Sequence, residues 1–354
     1  MQKIGIAIIG CGMIAESHAE AIKADGRAEI VAAAYGTNKE RGEAFAAKYN
    51  VPLAVGDYRQ LLTDKNIRMV CVCTPSGMHA GQAVDFINAG AAALVEKPLD
   101  ITSGAIARMI GAAEKNNLPL GCVFGNRTRQ GLIRAKKLID GGGLGAMYAV
   151  ECQYRGYRSP EYYRASKWKG KLEYDGGGCL MNQGIHAVDA MLWLAGPVDA
   201  VCGQTGTYGR DIEVENNASA LLKFKNGAQG VLMGATLSYT PEEAPEGDRI
   251  RIECENGSIV YANGKTTYFK NNLPGGFDVT PVPLDDNEAE AVSSGSAPEI
   301  IDTEAHNIIV SDFISAVIEK REPLIPARSA RMSVETILAV YASARSGKWE
   351  PCGA

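Results

Sequence analysis

The chain of 354 residues has no dense block of Lys or Arg, no stretch apolar enough to span a bilayer, and no Cys or His spacing of the metal-ligating kind. Each absence removes a class of function. Without a basic block, and with a net charge of -5, nucleic acid and anionic membrane are poor partners. Without ligand spacing among its 9 cysteines and 4 histidines, no metal site is expected. The cysteine number is odd, and the start at Lys3-Ile4-Gly5-Ile6 runs straight into a strand pattern with no apolar leader region. Reduced, buried thiols and a cytoplasmic location follow as expectations. What remains is a neutral or anionic small metabolite as the partner.

The length exceeds the usual size of one hydrophobic core, so two domains are expected, 1–124 and 125–354, with the last helices packing back on the first. From Lys3 to about Val123, short apolar runs alternate with amphipathic stretches. This rhythm predicts βαβ units and a parallel sheet. The strands read as Ile4 to Ile9, Glu29 to Ala34, Met69 to Cys73, Ala92 to Glu96 and Leu120 to Val123; the helices as Met13 to Ala24, Lys39 to Tyr49, Met78 to Ala89 and Ser103 to Asn116. Asp57 and Ser103 read as N-caps, Gly90 and Asn117 as C-terminal stops. This is an α/β Rossmann pattern.

After Val123 the pattern changes to a basic helix near Arg129 to Asp140 and then to longer alternating runs. Three pairs, Asn226-Gly227, Asn256-Gly257 and Asn263-Gly264, predict type I′ hairpins, so the second domain reads as α+β with a large, mainly antiparallel open sheet. One inserted helix is expected from about Cys179 to Leu194, and two more near Thr303 to Glu319 and Ala330 to Ser346. The polar, acidic stretch from Pro281 to Pro298 reads as a surface loop.

Gly10-Cys11-Gly12-Met13-Ile14-Ala15 follows the first strand and opens the first helix, which is the context of a dinucleotide fingerprint. Gly10 permits the tight turn, Gly12 lets a pyrophosphate approach, and the helix N-terminus offers free N–H groups to it. A nicotinamide dinucleotide is the expected cofactor. At the end of the second strand, where an acid would bind the ribose 2′-hydroxyl, the chain reads Tyr35-Gly36-Thr37-Asn38-Lys39-Glu40-Arg41. No carboxylate stands at the strand end. Thr37, Asn38 and the cations Lys39 and Arg41 favour NADP, with NAD as the alternative; the lesser reading makes Lys39 and Arg41 solvated first-turn residues of the next helix.

Two further motifs end strands at the carboxyl edge, where open α/β sheets bind ligands: Thr74-Pro75-Ser76-Gly77-Met78-His79, just after Cys73, and Glu96-Lys97-Pro98. In the second half lie Asn126-Arg127 and Gly176-Gly177-Gly178, followed by Asn182, Gly184, His186 and Asp189. In order and spacing, these residues resemble the glucose-fructose oxidoreductase, inositol dehydrogenase and rhizopine catabolism family, the Gfo/Idh/MocA oxidoreductases. The resemblance covers essentially the whole chain. It implies that Lys97 and His186 flank a sugar or polyol hydroxyl beside the nicotinamide, and that the second-domain sheet forms a homodimer or homotetramer. Where many members carry Asp four residues before the His, this chain has Asn182, as in a branch that includes nucleotide-sugar 3-dehydrogenases.

Lys97, His186 and Asn182 are therefore the catalytic candidates: Lys97 on the reacting oxygen, His186 taking its proton, Asn182 orienting the substrate. Asn182, His186 and Asp189 are expected on one helical face. The resemblance also puts Cys73, Thr74, Pro75, His79, Glu96, Asn126, Trp168 and Lys169 near the cofactor, and His306 where many members have a cleft Tyr. Arg127 and Tyr154 join the substrate side. Tyr154, Tyr157, Arg158, Tyr162, Tyr163 and Arg164 form an aromatic, basic cluster that suits a sugar face and an anionic group, or an amphipathic surface. The expected reaction is hydride transfer between NAD(P) and a secondary alcohol or ketone of a sugar, polyol or nucleotide-sugar. A non-catalytic dinucleotide sensor on the same fold is the competing reading.

Overall fold

The computed structural model describes residues 3–166, 168–239, 249–273, 275–285 and 303–353. In chain order the first elements are β1 (Ile4–Ile9), α1 (Met13–Asp25), β2 (Ala28–Ala34), α2 (Lys39–Tyr49), β3 (Ala54–Val55), β4 (Ile67–Val72), α3 (His79–Ala89), β5 (Ala92–Val95), α4 (Ser103–Asn116) and β6 (Leu120–Cys122). There follow α5 (Gln130–Asp140), β7 (Met147–Arg155), α6 (Pro160–Arg164), α7 (Leu172–Asp175), a π-helical turn (Cys179–Gly184) and α8 (Ile185–Ala195). The chain continues through β8 (Val198–Gly206), β9 (Asn217–Phe224), β10 (Gln229–Ala235), β11 (Arg249–Cys254), β12 (Gly257–Ala262), β13 (Lys265–Asn271) and β14 (Val279–Pro283). It closes with α9 (Thr303–Glu319), α10 (Ala327–Ser346) and β15 (Glu350–Pro351). Two compact units result, 1–125 with 301–331 and 126–300 with 332–354.

The first unit holds a six-stranded parallel sheet in the order β3-β2-β1-β4-β5-β6. Ile6 to Ile9, Met69 to Val72 and Ala92 to Val95 are buried on both faces, which is why these strands read as continuous apolar runs. Two-residue β3 is too short to leave such a run. Thr102, one residue before the expected Ser103, caps α4 by accepting the Ala105 N–H, whereas Gly90 and Asn117 do end α3 and α4 in the left-handed region. Asp57 caps a short 3-10 turn, Tyr58–Leu61.

The second unit holds a nine-stranded sheet in the order β14-β13-β12-β11-β7-β10-β9-β8-β15. The β7–β10 pair is parallel and every other pair antiparallel. Along β9, exposed and buried residues alternate without a break, so one face is packed and the other open. Of the three Asn-Gly pairs, Asn263-Gly264 has positive φ at both residues, as a type I′ turn needs. At Asn226-Gly227 and Asn256-Gly257 only the Gly does, because Asn226 spends its side chain on the Ala195 carbonyl and the Ala228 N–H, and Gly257 already starts β12.

Two other expectations change. Pro281 to Pro283 belong to β14, paired with β13, rather than to a loop; 286–302 lie outside the described residues. The helix expected from Cys179 is a π-turn leading into α8, so a single 3.6-residue period does not run from Asn182 to Asp189. Among the described residues, no helix is long and apolar enough to cross a membrane.

Candidate active site

In the first unit, β1 delivers the chain to Gly10, whose φ of 94° and approach to the Cys73 carbonyl, 2.7 Å from a would-be Cβ, admit only glycine. Gly12 is different. It begins α1 without a side-chain cap, and a Cβ there would meet nothing within 4 Å. That open space lies against the free N–H groups at the start of α1, beside Met13 and Ile14, so the turn fits a dinucleotide pyrophosphate. Burial pushes the Cys11 thiol up to about 11, partly opposed by the Arg41 charge, so Arg41 acts electrostatically on the glycine turn. Thr37, Asn38 and Arg41 are exposed, and the Asn38 side chain accepts the Arg41 N–H, capping α2.

The two strand-end motifs are locked to one another. His79 is buried, with Nδ1 2.8 Å from the Pro98 carbonyl and Nε2 2.7 Å from the Thr74 carbonyl. Thr74 Oγ1 donates to Gln82, and Asp100 accepts the Ala80 N–H. His79 therefore clamps backbone to backbone, holding the Thr74 and Pro98 carbonyls to one side chain. Glu96 likewise turns inward, onto His18 and His306, instead of toward a ligand. Within 91–100, Lys97 alone keeps partial exposure. The loop confines one amine to the surface.

The second unit repeats this economy. From 177 to 192, Asn182 and His186 alone keep partial exposure. Glu215 sets the turn that presents them: it accepts the Gly178 and Leu180 N–H groups at 2.6 and 3.0 Å and the Tyr341 hydroxyl at 2.9 Å. Asn182 Nδ2 donates to Asp175 Oδ1 at 3.1 Å, while Asp175 Oδ2 accepts the Gly170 N–H. Asn126 donates to the His186 carbonyl and accepts from Arg129. Trp168 and Lys169 are half-buried, with the Lys169 ammonium 3.9 Å from the Tyr162 ring centre; burial lowers its pKa against the pull of Asp175. Arg158 stands 5.1 Å from the centre of the same ring.

Two substrate candidates turn out to be interior. Arg127 is 4% exposed and clasps Asp189 through two nitrogens at 2.7 and 2.8 Å, so this guanidinium holds α8. Tyr154 is 1% exposed and belongs to the core under β7. Conversely, Asp175 and Glu215 escaped the sequence reading. Asp175 carried a signal, since it stands directly before the triple glycine; Glu215 carried none.

A Rossmann sheet with a glycine turn, joined to an open-sheet unit, defines a class, the NAD-binding oxidoreductases. Residues 4–124 match the profile described as "Oxidoreductase family, NAD-binding Rossmann fold", and 132–260 match the "GFO/IDH/MocA C-terminal domain". The chain belongs to the Gfo/Idh/MocA family. Among solved structures, the WlbA dehydrogenase from Bordetella pertussis in complex with NADH and UDP-GlcNAcA is 29% identical, with a TM-score of 0.85 and 100% of each chain covered. Levoglucosan dehydrogenase of Pseudarthrobacter phenanthrenivorans is 24% identical over 65% of this chain and 67% of its own. Myo-inositol 2-dehydrogenase of Thermotoga maritima is 26% identical, covering 71% and 75%. With relatives named as dehydrogenases, the chain is an oxidoreductase acting on CH–OH groups.

Proposed function

We propose that this protein catalyses reversible hydride transfer between a nicotinamide dinucleotide and a ring carbon bearing a secondary hydroxyl on a nucleotide-linked sugar. The carrying observation is the selective exposure of Lys97, Asn182 and His186, each the chemistry-bearing residue of an otherwise buried run. When bound, the nicotinamide supplies the hydride acceptor. The Lys97 ammonium donates a hydrogen bond to the reacting oxygen, and His186 takes the hydroxyl proton. Asn182 cannot take a proton, so it orients the substrate, steadied by Asp175. Half-buried Tyr162 and Lys169 offer a ring and positive charge for a phosphorylated substrate, and the full-length similarity to a protein crystallised with UDP-GlcNAcA supports the same class. At the dinucleotide 2′ end, Thr37 and Arg41 without a nearby strand-end acid favour NADP, although the relative's complex holds NADH.

A panel of sugars, polyols and UDP-linked sugars, run with NAD and NADP separately and followed by reduced-nicotinamide absorbance, tests this reading. Turnover is expected with a UDP-linked sugar, and His186→Ala should lower kcat by roughly 10²- to 10⁴-fold with dinucleotide Kd nearly unchanged. Full turnover by that variant would sink the assignment. Exposed Leu221, Val231 and Met233 on the open sheet face support a homo-oligomer; light scattering showing a monomer would refute it.

A further inference from the structure

Behind Lys97 lies a cluster with no role so far. Glu96 Oε1 accepts a hydrogen bond from His18 Nε2 at 2.8 Å, and His306 Nε2 stands 3.5 Å from the same oxygen. Glu96 Oε2 accepts the backbone N–H of Lys97 at 3.3 Å. The two imidazoles meet edge to face, centroids 5.5 Å apart. His18 is fully buried, and its Nδ1 has no hydrogen-bond partner among the described residues. Because a carboxylate only accepts, the hydrogen of His18 sits on Nε2, facing Glu96.

Two histidines and a carboxylate within 4.8 Å of one another invite comparison with a divalent-metal site. The distances favour hydrogen bonding instead. A tetrahedral shell with bonds near 2.1 Å spaces its ligand atoms about 3.4 Å apart, whereas 2.8 Å between His18 and Glu96 is the length of a charge-assisted hydrogen bond.

We propose that His306 is a positioning residue for Lys97: together with His18 it holds the Glu96 carboxylate in one orientation, and that carboxylate fixes the peptide from which Lys97 leaves the strand. The proposal rests on the dehydrogenase reading above and deepens it. A buried anion is tolerated where donors surround it, and its orientation is set by them. Here the donors are His18 on α1 and the N–H of the next residue in the chain, and the His306 imidazole on α9 stands as a close polar contact at 3.5 Å. The other titratable groups acting on Glu96 are the Cys71 and Cys73 thiols, and burial raises both, so they stay neutral. Burial alone would raise the Glu96 carboxyl as well, but the His18 hydrogen bond and the His306 imidazole 3.5 Å away overcome it and hold the group well below the usual range. Since α1 begins at the glycine turn, one carboxylate ties the dinucleotide-binding helix to the strand end that carries Lys97. Without the His306 ring nitrogen the carboxylate loses its polar contact on that side, turns or takes up a proton, and loosens its hold on the Lys97 N–H.

Three variants of the full chain test this. His306→Phe keeps the ring but removes its nitrogens, His306→Gln restores an N–H at similar reach, and Glu96→Gln removes the charge. The readouts are kcat and KM on the substrate found in the panel, dinucleotide Kd, and the rate of Lys97 acylation by trace acetic anhydride, measured by mass spectrometry against exposed Lys65. His306→Phe should lower kcat about tenfold while KM and Kd stay within about twofold. It should also change Lys97 acylation by at least about threefold with Lys65 unmoved. His306→Gln should recover most of both effects, and Glu96→Gln should match or exceed the Phe variant. Equal behaviour of the Phe and Gln variants, a lowered Tm with kcat and Lys97 labelling unmoved, or one equivalent of zinc retained by the native protein would overturn the proposal. If the native protein turns over nothing in the panel, the functional reading fails, and the labelling arm still decides on the brace.

Discussion

Glu96 in the first unit, just past β5, and Glu215 in the second, in the loop before β9, are both buried carboxylates, each accepting three hydrogen bonds or close polar contacts, yet their proton affinities move in opposite directions. Glu215 is met by two backbone N–H groups and a phenol, all neutral dipoles, and burial wins: its carboxyl is raised. Glu96 faces two imidazoles, and they reverse the same burial penalty. Neutral donors orient a buried carboxylate; imidazole donors also keep it ionised. The difference suits their placement, because Glu215 shapes a turn, whereas Glu96 stands next to Lys97, the amine proposed to meet the substrate.

The largest effect is expected where both partners are fully charged. Arg127 and Asp189 form a bidentate pair inside the second unit; burial pushes the Asp189 carboxyl up and Arg127 pulls it back without cancelling the rise. Asp189→Ala removes the carboxylate this buried guanidinium clasps and should cost about 3–5 kcal/mol in urea unfolding. A loss no greater than that of His18→Ala in the first unit would break the distinction between charge pairs and imidazole donors.

How far these hubs were legible follows from their sequence separation. Parallel strands buried on both faces show up as apolar runs, and Gly10, Gly12 and Lys97 sit at strand ends that such runs locate. Glu96 was visible in its motif, but its partner His18 lies 78 residues away and on another element. Arg127 follows the same rule: beside Asn126 in sequence it reads as a ligand contact, while in the structure it is buried and clasps Asp189, 62 residues on. The π-turn at Cys179–Gly184 inserts its extra spacing without a composition signal, so Asn182 reads as one helix with His186. Glu215, in Glu213-Val214-Glu215-Asn216, looks like any polar loop residue.

A middle-sized effect sharpens the contrast through pH. The folded Glu96 carboxyl lies below its ordinary 4.5, so its contribution is complete above that value and is lost as pH falls through the folded value. Glu215 lies above 4.5, so its contribution is complete below that value and is lost as pH rises through the folded one. Urea unfolding from about pH 3 to pH 7 should therefore show the stability gap between the native protein and Glu96→Gln widening with pH, by roughly 1–3 kcal/mol. The gap to Glu215→Gln should narrow instead. Gaps that move in the same direction would erase the difference between the two carboxylates.

The smallest effect isolates one neutral donor. Tyr341 is half-buried on α10, its hydroxyl bonded to Glu215 and so close to Gly177 that a Cβ there would meet it at 2.2 Å. Tyr341→Phe deletes that hydroxyl while Glu215 keeps both backbone donors, so the loss should be about 1 kcal/mol. Because the π-turn stays anchored at Gly178 and Leu180, KM and kcat should hardly change. A tenfold fall in kcat at near-native stability would mean that the phenol, rather than the backbone pair, sets the turn carrying Asn182, and that a neutral donor in the second unit governs catalytic geometry as closely as the imidazoles do in the first.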